Sequence, residues 1–260
     1  KSYLNQEKII EIILSSGADA IHPGYGFLSE NSDFVSKCEK NKINFIGPTS
    51  ASMDLCGDKM QCKSAMLKAK VPTVPGSPGL VKDVEEALKI ANDISYPVLL
   101  KSVFGGGGRG IRLVNNDKEL REGFETVTSE SISAVGKSAI IVEKYLQKTR
   151  HIEYQMARDK HGNAVHIFER ECSIQRRNQK LIEQTPSPIV DQETRDRIGE
   201  LVVKASKAVD YTNLGTAEFL RADNGEFYFI EINARLQVEH PITELVSGLD
   251  LVKLQIDIAN

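Results

Sequence analysis

The segment GTAEFLRADNGEFYFIEINARLQVEHP at residues 215–241 constrains the fold most, because polar and apolar residues alternate on both sides of Asn224-Gly225. Asn-Gly between two alternating runs is the strongest short-range signal for a β-hairpin with a two-residue turn. In that register Glu218 faces Glu231 directly. The other predicted pairs are Asp223 with Glu226, Phe219 with Ile230, Ala217 with Ile232, and Thr216 with Asn233. The acids thus lie on a polar side, and the apolar pairs lie on a packed side.

The two opposed glutamates of this hairpin require a positive partner. Like charges ~5 Å apart repel each other by about 3 kcal/mol at an effective dielectric constant of about 20. Oxygen ligands without His or Cys indicate Mg²⁺ or Mn²⁺. Oxygens of substrate phosphates would complete the coordination of the metal. We therefore expect a metal at Glu218 and Glu231. Two solvated acids on an exposed face are the alternative.

Beyond Glu231 the alternation continues as far as Glu239, which predicts one long extended segment. Its polar positions are Asn233, Arg235, Gln237 and Glu239, and its apolar positions are Ile232, Ala234, Leu236 and Val238. Arg235 is suited to a planar oxyanion, and Glu239 could act as a general base beside it. An ion pair between Arg235 and Glu239 on a strand edge is the alternative.

The run VLLKSVFGGGGRGIRLV at residues 98–114 contains the G-x-G-x-x-G pattern of a dinucleotide-binding turn. That turn opens a helix, whereas IRLV predicts a strand, and a P-loop requires Lys where this run has Ile111 after Gly110. A strand-loop-strand unit with bare backbone amides indicates a flap over phosphates, and a structural hairpin tip is the alternative. Arg109 would add a cation to the flap, and Lys101 could reach a phosphate.

The remaining periodicity indicates an α/β chain. We expect helices over 5–16, 32–40, 58–70, 84–93, 117–128 and 194–210, and strands over 18–24, 43–47, 97–103, 110–114, 139–144, 151–159 and 164–175. The first strands form only half of a doubly wound unit, so we expect the chain to begin inside a domain. A helix that still continues at Asn260 suggests the same for its end. The segment VPTVPGSPG at residues 71–79 indicates a boundary or hinge.

Composition excludes several classes of protein. The 260 residues are 40% hydrophobic and 27% charged, with a formal net charge of -3, which does not favour nucleic acid as a partner. No apolar run approaches the ~20 residues that span a bilayer, and no signal peptide is visible, so we expect a cytoplasmic protein without membrane contact. The four cysteines lack zinc-site spacing and are expected to be buried, reduced thiols. The cluster of Arg176, Arg177 and Lys180 indicates either an anion site or a solvated face.

The motifs HPGYGFLSEN, FGGGGRGIR, ECSIQRRNQK and FIEINARLQVEHPITE resemble those of biotin carboxylase, the ATP-dependent component of biotin-dependent carboxylases. The resemblance extends from His22 to the C-terminus, and the last motif is highly specific. It implies an α/β (α+β) chain with an ATP-grasp domain over 57–260, which includes a mobile lid over about 73–145. The remnant of a Rossmann-like N-terminal domain would precede it over 1–56.

The resemblance also implies a nucleotide site. Lys59 and Lys101 would contact the phosphates of ATP, His151 and Gln175 would lie near the ribose and phosphates, and Glu143 with the backbone of Lys144 and Leu146 would read the adenine edge. The flap over the phosphates would consist of Gly105, Gly106, Gly107, Gly108, Arg109 and Gly110.

The resemblance further implies that Mg²⁺ or Mn²⁺ is held by Glu218, Glu231 and Asn233. Bicarbonate would be bound by Lys180, Arg235, Gln237 and the backbone of Val238, with Glu239 as its base. Bicarbonate would attack the γ-phosphate to give carboxyphosphate, and the CO₂ would pass to N1′ of biotin on a carrier protein. A carboxyltransferase partner and a homodimeric parent enzyme are also implied.

Two alternative functions remain open. Compared with the family pattern, the sequence does not show the first strand and glycine turn of the N-terminal domain. It also does not reach the C-terminal region whose arginine is expected to stabilise the enolate of biotin. We therefore expect either a carboxylating ligase or an ATP-binding fragment that does not complete biotin carboxylation. The second alternative is another ATP-grasp ligase, such as a carbamoyl-phosphate-forming or amine-ligating enzyme.

Overall fold

The computed structural model describes residues 2–102, 110–136, 139–177 and 179–260. The chain divides into two compact units. The first contains residues 1–72 together with 150–260, and the second contains residues 73–149.

The N-terminal part of the first unit is a short β-α-β arrangement preceded by a helix. Helix α1 (Gln6–Ser16) lies within the predicted range 5–16; Asn5 caps its start, and Gly17 ends it in the left-handed conformation. Strands β1 (Ala20–Ile21) and β2 (Asn44–Phe45) are parallel. Three helices complete this part: α2 (Ser32–Lys40), α3 (Ser50–Gly57) and α4 (Lys59–Lys68).

A mixed-length antiparallel sheet forms the main body of the first unit. Its strands are β6 (Arg150–Arg158), β7 (Ala164–Arg176), β8 (Gln179–Gln184), β9 (Asn213–Arg221) and β10 (Phe227–Asn233). In the part of the chain that the structure describes, the strand order is β10-β9-β6-β7-β8. Strand β8 was not expected from the sequence, because its residues alternate weakly and Leu181 and Ile182 are exposed.

The two faces of this sheet differ in polarity. Helix α7 (Gln192–Ala208) packs on one face, where Ile152, Tyr154, Ala217 and Phe219 are fully buried against it. Because successive side chains of a strand point to opposite faces, the residues between them, such as Glu153 and Glu218, lie on the other face. The sheet therefore presents a row of polar groups opposite its apolar core.

The first unit ends in two helices, α8 (His240–Ser247) and α9 (Leu251–Ala259). Gly248 separates them in the left-handed conformation. The side chains of Asn44 and Asn213 donate to the carbonyls of Ala259 and Gln255, which ties α9 to the sheets. Among the described residues, no helix is both long and apolar enough to cross a membrane.

The second unit is a small α+β layer. Its antiparallel sheet has the order β4-β3-β5, formed by β3 (Val98–Ser102), β4 (Ile111–Val114) and β5 (Ile140–Lys144). Helices α5 (Val84–Ile94) and α6 (Asp117–Val135) pack on it around buried Leu100, Leu120 and Val142. The predicted pairing of the two strands on either side of the glycine run is confirmed for β3 and β4, since Lys101 pairs with Ile111.

The β9-β10 hairpin confirms the Glu218–Glu231 pair, but the predicted register near the turn is wrong. Ala222 pairs with Glu226 around a three-residue loop, in which Gly225 has a φ of 87°. Phe219 therefore pairs with Phe229, and not with Ile230. A β-bulge between Phe229 and Glu231 then shifts the register by one residue, which restores the predicted pairs of Glu231, Ile232 and Asn233. Ile230, expected on the packed side, is exposed.

Candidate active site

Four charged residues form a row across four adjacent strands of the main sheet. Arg170 on β7 pairs with Glu153 on β6, Glu153 pairs with Glu218 on β9, and Glu218 pairs with Glu231 on β10. Arg170 and Glu153 are fully buried, and Glu218 is 6% exposed. Charged groups are rarely buried without partners, so this row marks a specialised site.

Lys180 on β8 brings three carboxylates of this region together. Its Nζ donates to Glu218 and Glu239, both at 2.9 Å, and also to Glu153. Burial would lower the pKa of Lys180, but the nearby carboxylates of Glu153 and Glu218 outweigh burial and raise it. Lys180 is therefore a permanent cation at the centre of the site.

The same contacts control the ionisation of two of the acids. Burial would raise the pKa of Glu218, but His151 and Lys180 outweigh it and hold that pKa well below its ordinary value. Burial likewise opposes the charge of Glu239, yet its bond to Lys180 lowers its pKa. Both side chains are therefore carboxylates at neutral pH.

Glu231 has the opposite character. Burial, and then the charge of Glu218, raise its pKa. Lys59 opposes this shift only from a distance, since its Nζ lies 4.0 Å from Oε2 of Glu231. This contact is longer than the 2.9 Å bond between Lys180 and Glu218, so Glu231 is the less well neutralised of the two acids.

The charges of the site fit a bound divalent cation. The carboxylates of the row and its ion pairs are Glu30, Glu153, Glu218, Glu231 and Glu239, and the cations are Lys59, Arg170, Lys180 and Arg235. Counted with histidine neutral, this set leaves one negative charge, and the 4.0 Å separation of Lys59 from Glu231 places the least neutralised carboxylate at the outer end of the row. The Nδ2 atom of Asn233 donates to Glu218 at 2.8 Å, and its amide oxygen is a further possible metal ligand beside the pair. The Glu218–Glu231–Asn233 set therefore suits Mg²⁺ or Mn²⁺.

Two other groups of ligand-type atoms lie close together in the described part of the chain. One consists of His151, Glu153 and Glu218, and the other of Glu153, Cys172 and Glu239. Both contain carboxylates that Lys180 already bonds. Because this ammonium supplies the positive charge, neither group needs a metal.

Arg235 lies beside the row but is not paired with Glu239. Its Nε donates to Glu30 at 2.8 Å, and the other oxygen of Glu30 accepts from the backbone N–H of Ala234 at 3.0 Å. Its Nη atoms make long contacts, at 3.3 Å to the carbonyl of Leu236 and at 3.4 Å to Asn233. The outer edge of the guanidinium is thus available to an oxyanion.

The prediction of one extended segment from Glu231 to Glu239 is wrong beyond Asn233. Strand β10 ends there, and the chain turns before α8 begins at His240. Gln237, a polar position of the alternation, is buried at 3% exposure, whereas Val238, an apolar position, is 59% exposed. Glu239 occupies the N-cap of α8 without making a cap hydrogen bond, because its carboxylate bonds Lys180. The turn, and not a strand, brings Gln237 and Glu239 to the site.

His151 and Gln175 form the edge of the site next to β8. The Nε2 atom of His151 lies 2.8 Å from Oε2 of Glu218, and its Nδ1 lies 3.0 Å from the amide nitrogen of Gln175. Gln175 also donates to the carbonyl of Cys172. Arg176 and Arg177, in contrast, are exposed, so only Lys180 of the predicted basic cluster enters the site.

The second unit carries several other residues predicted to bind the nucleotide. Nζ of Lys101 donates to Glu143 at 2.6 Å. The backbone N–H of Lys144 donates to the carbonyl of Pro75, so the Lys144 amide is already bonded, and Leu146 is half-buried in the following loop. Gly110 has a φ of 72° at the start of β4. The predicted flap residues Gly105, Gly106, Gly107, Gly108 and Arg109 lie outside the described residues.

The two inner members of the row, Glu153 and Arg170, were not predicted from the sequence. Glu153 stands between buried Ile152 and Tyr154, and Arg170 lies in the middle of a long strand. An ionisable residue in the interior of an apolar strand is a usable signal, because it needs a buried partner. The cysteines, by contrast, are free and buried as expected.

Family models match nearly the whole chain. Residues 58–260 match the carbamoyl-phosphate synthase L chain, ATP binding domain, and residues 1–53 match the biotin carboxylase, N-terminal domain. The fold is therefore of the ATP-grasp type, preceded by part of a biotin carboxylase N-terminal domain, and the predicted α/β (α+β) class is confirmed.

Individual relatives agree with these models. The 2-oxoglutarate carboxylase small subunit of Hydrogenobacter thermophilus is 52% identical over 99% of this chain and 55% of the relative, and the biotin carboxylase of a Nostoc species is 51% identical over 100% and 58%. The crystal structure of the H. thermophilus biotin carboxylase domain dimer, in complex with MgADP, ADP and bicarbonate, has a TM-score of 0.87 at 52% identity, over 99% of this chain and 57% of that one. The chain belongs to the biotin carboxylase family, and it spans little more than half the length of these relatives.

Proposed function

We propose that this chain carries out the ATP- and bicarbonate-dependent half-reaction of a biotin-dependent carboxylase. In this reaction biotin on a carrier protein is carboxylated through carboxyphosphate. The observation that carries the proposal is the Glu218–Glu231 pair, with its excess negative charge, directly beside Lys180 and the outer edge of Arg235. Such a site can hold a metal-bound phosphate and an oxyanion at the same time.

The metal would be held by Glu218, Glu231 and Asn233. When bound, Mg²⁺ or Mn²⁺ neutralises the phosphate oxygens of ATP. The protein residues proposed to contact the nucleotide are Lys59, Lys101, Gly105, Gly106, Gly107, Gly108, Arg109, Gly110, Glu143, Lys144, Leu146, His151 and Gln175. Within the first unit, support comes from the position of Lys59 next to Glu231 and of His151 next to Glu218.

Bicarbonate would be bound by Arg235, Lys180, Gln237 and the backbone of Val238. Arg235 would offer two parallel N–H groups to two oxygens of the anion. The ionised carboxylate of Glu239 can accept the hydroxyl proton of bicarbonate, because Lys180 keeps its pKa low. A bicarbonate oxygen then bonds to the γ-phosphorus while the bond from that phosphorus to the β-phosphate oxygen breaks and ADP leaves.

Completion of the reaction needs partners. Carboxyphosphate would break down to phosphate and CO₂, the released phosphate would take the proton of N1′ of biotin, and N1′ would bond to the CO₂. We propose a biotin carboxyl carrier protein or domain and a carboxyltransferase as partners, and a homodimeric parent enzyme. We also propose the domain limits 1–56 and 57–260, with a mobile lid over about 73–145.

The test is ATP cleavage by the chain with Mg²⁺, measured with and without bicarbonate and with and without free biotin. Cleavage that requires bicarbonate supports the proposed phosphorylation, and a further stimulation by biotin supports the complete half-reaction. ATP binding without any turnover would favour an ATP-binding fragment. Carbamoyl phosphate formed when ammonia is added would instead assign the chain to another group of ATP-grasp ligases.

A further inference from the structure

Arg170 is the most extensively bonded side chain of the site, although nothing in the proposed reaction requires it to touch a substrate. It is fully buried, and its N–H groups have acceptors on two strands of the sheet, β6 and β9, on the turn after β10 and on helix α8. These acceptors are Glu153 at 2.6 Å, Gln155 at 2.9 Å, Thr216 at 3.2 Å, Gln237 at 2.8 Å and Thr243 at 2.9 Å. A guanidinium fixed in this way cannot move without breaking several bonds.

The contact with Gln237 determines which end of that amide faces the site. A guanidinium has only donors, so the Gln237 atom that faces Arg170 must be the oxygen. The amide nitrogen consequently points the other way, and it lies 3.2 Å from Oε1 of Glu218. An amide nitrogen carries two hydrogens, of which Glu218 takes one. The other hydrogen is a donor beside Lys180, where an anion would bind.

The remaining bonds of Arg170 hold the turn that carries Gln237. Thr243 lies in α8, directly after this turn, and Thr216 lies in β9 beneath it. Arg170 thus joins the sheet to both ends of the segment from Gln237 to α8. Arg170 also donates to Oε1 of Glu153, whereas Lys180 donates to Oε2 of the same carboxylate.

We propose that Arg170 is a positioning residue for the bicarbonate site, because it fixes the amide of Gln237 with its nitrogen toward the bound anion. This inference rests on the proposed function. Without Arg170, the amide of Gln237 could rotate and present its oxygen to the anion, which would repel it. Loss of Arg170 should therefore weaken bicarbonate binding and leave ATP binding intact.

The test compares Arg170→Lys with a matched control, Arg195→Lys. Like Arg170, Arg195 is a buried arginine that is paired with a glutamate, in this case Glu169 of β7. Its other acceptors, Gln192 and the carbonyl of Val190, lie outside the site. Lysine at position 170 can keep the charge pair with Glu153 but cannot hold Gln237 as well. We expect Arg170→Lys to raise the KM for bicarbonate about tenfold or more, with the KM for ATP within about twofold. Arg195→Lys should leave both constants within about twofold.

Gln237→Ala shows whether Arg170 acts through Gln237. Alone, it should raise the KM for bicarbonate about as much as Arg170→Lys does, and the double variant should be no worse than either single variant. An unchanged KM in Gln237→Ala would overturn the inference even if Arg170→Lys failed to fold. Additive effects in the double variant, or equal losses for ATP and bicarbonate, would also overturn it.

Failure of the proposed function would be visible separately. If the unmodified chain cleaves ATP without any dependence on bicarbonate, the proposed function is wrong, and the positioning role is decided by a crystal structure of Arg170→Lys. A displaced or rotated Gln237 that has lost Glu218 supports the role. A Gln237 that keeps its contact with Glu218 would overturn it.

Discussion

Glu218 is the direct cross-strand partner of both Glu231 and Glu153, so three carboxylates lie side by side across β10, β9 and β6. The inner two share the cation of Lys180, whereas the outer one faces the more distant Lys59 at 4.0 Å. This asymmetry makes the Glu218–Glu231 pair the place where a bound metal would stabilise the protein, whereas at the Glu153–Glu218 pair the chain supplies its own cation.

Replacing Glu231 by Gln should separate stability from activity. Without metal, Glu231→Gln should be more stable than the parent by roughly 0.5 kcal/mol, because it removes a like-charge pair. Mg²⁺-dependent ATP cleavage should fall by about 100-fold or more. Thermal unfolding with and without Mg²⁺, together with ATP cleavage, checks both. Glu226→Gln, at an exposed acid of the same hairpin, is the control, and unchanged ATP cleavage in Glu231→Gln would contradict the metal site.

Loss of Lys180 should be costly for folding. Lys180→Gln leaves Glu153, Glu218 and Glu239 close together without their shared cation, and we expect a loss of about 3 kcal/mol or more in the free energy of unfolding. Urea unfolding at neutral pH measures this loss. Arg176→Gln, at an exposed position of the neighbouring strand, should change stability by less than about 0.5 kcal/mol. Equal effects of the two substitutions would show that the carboxylate cluster does not depend on Lys180.

Gly199 in α7 should not tolerate a larger residue. A Cβ atom at this position would lie 2.2 Å from Nε2 of His166, a half-buried side chain whose ring also contacts that of Tyr154. We expect Gly199→Ala to lower the free energy of unfolding by about 1–3 kcal/mol. Gly57→Ala is the control, since a Cβ there meets nothing within 4 Å. Adding His166→Ala should recover part of the loss in Gly199→Ala, and strictly additive losses would argue against this contact.

His166 should also make stability depend on pH. Burial lowers the pKa of His166 below the ordinary value of 6.5, which the unfolded chain retains. The unfolded chain therefore binds more protons just below pH 6.5, so this contribution to stability is complete above that pH and declines as the pH falls. Unfolding free energies of the parent and His166→Gln, compared from pH 8 to about pH 5, measure it. The parent should lose stability relative to the variant on acidification, and a difference that does not change with pH would contradict the prediction.

The sequence was most informative where local rules act alone. The helix ends at Asn5 and Gly17 follow from cap chemistry, and the β3-β4 pair follows from the strand patterns on both sides of the glycines. The Glu218–Glu231 pair was predicted correctly for an incomplete reason. A loop longer by one residue and a bulge next to Ile230 shift the register in opposite directions, and neither has a clear sequence signature.

The inner part of the site could not be derived from local patterns. Arg170 and Lys180 reach the glutamates only because β7 lies next to β6 and β8 lies next to β7, and this order depends on how the whole sheet assembles. The turn after Asn233 was missed because Arg235 to Glu239 alternate as a strand would, whereas Glu30 and Lys180 hold two of these side chains in other directions. Tertiary partners, and not periodicity, decide the conformation there.

The most direct test of the proposed reaction uses bicarbonate labelled with ¹⁸O during ATP cleavage. If a bicarbonate oxygen attacks the γ-phosphorus at this site, the phosphate released from carboxyphosphate must carry one labelled oxygen. We predict this label in the phosphate from the parent chain, and its loss together with turnover in Glu231→Gln. Turnover that releases unlabelled phosphate would show that water attacks ATP, and it would contradict the proposed phosphorylation of bicarbonate.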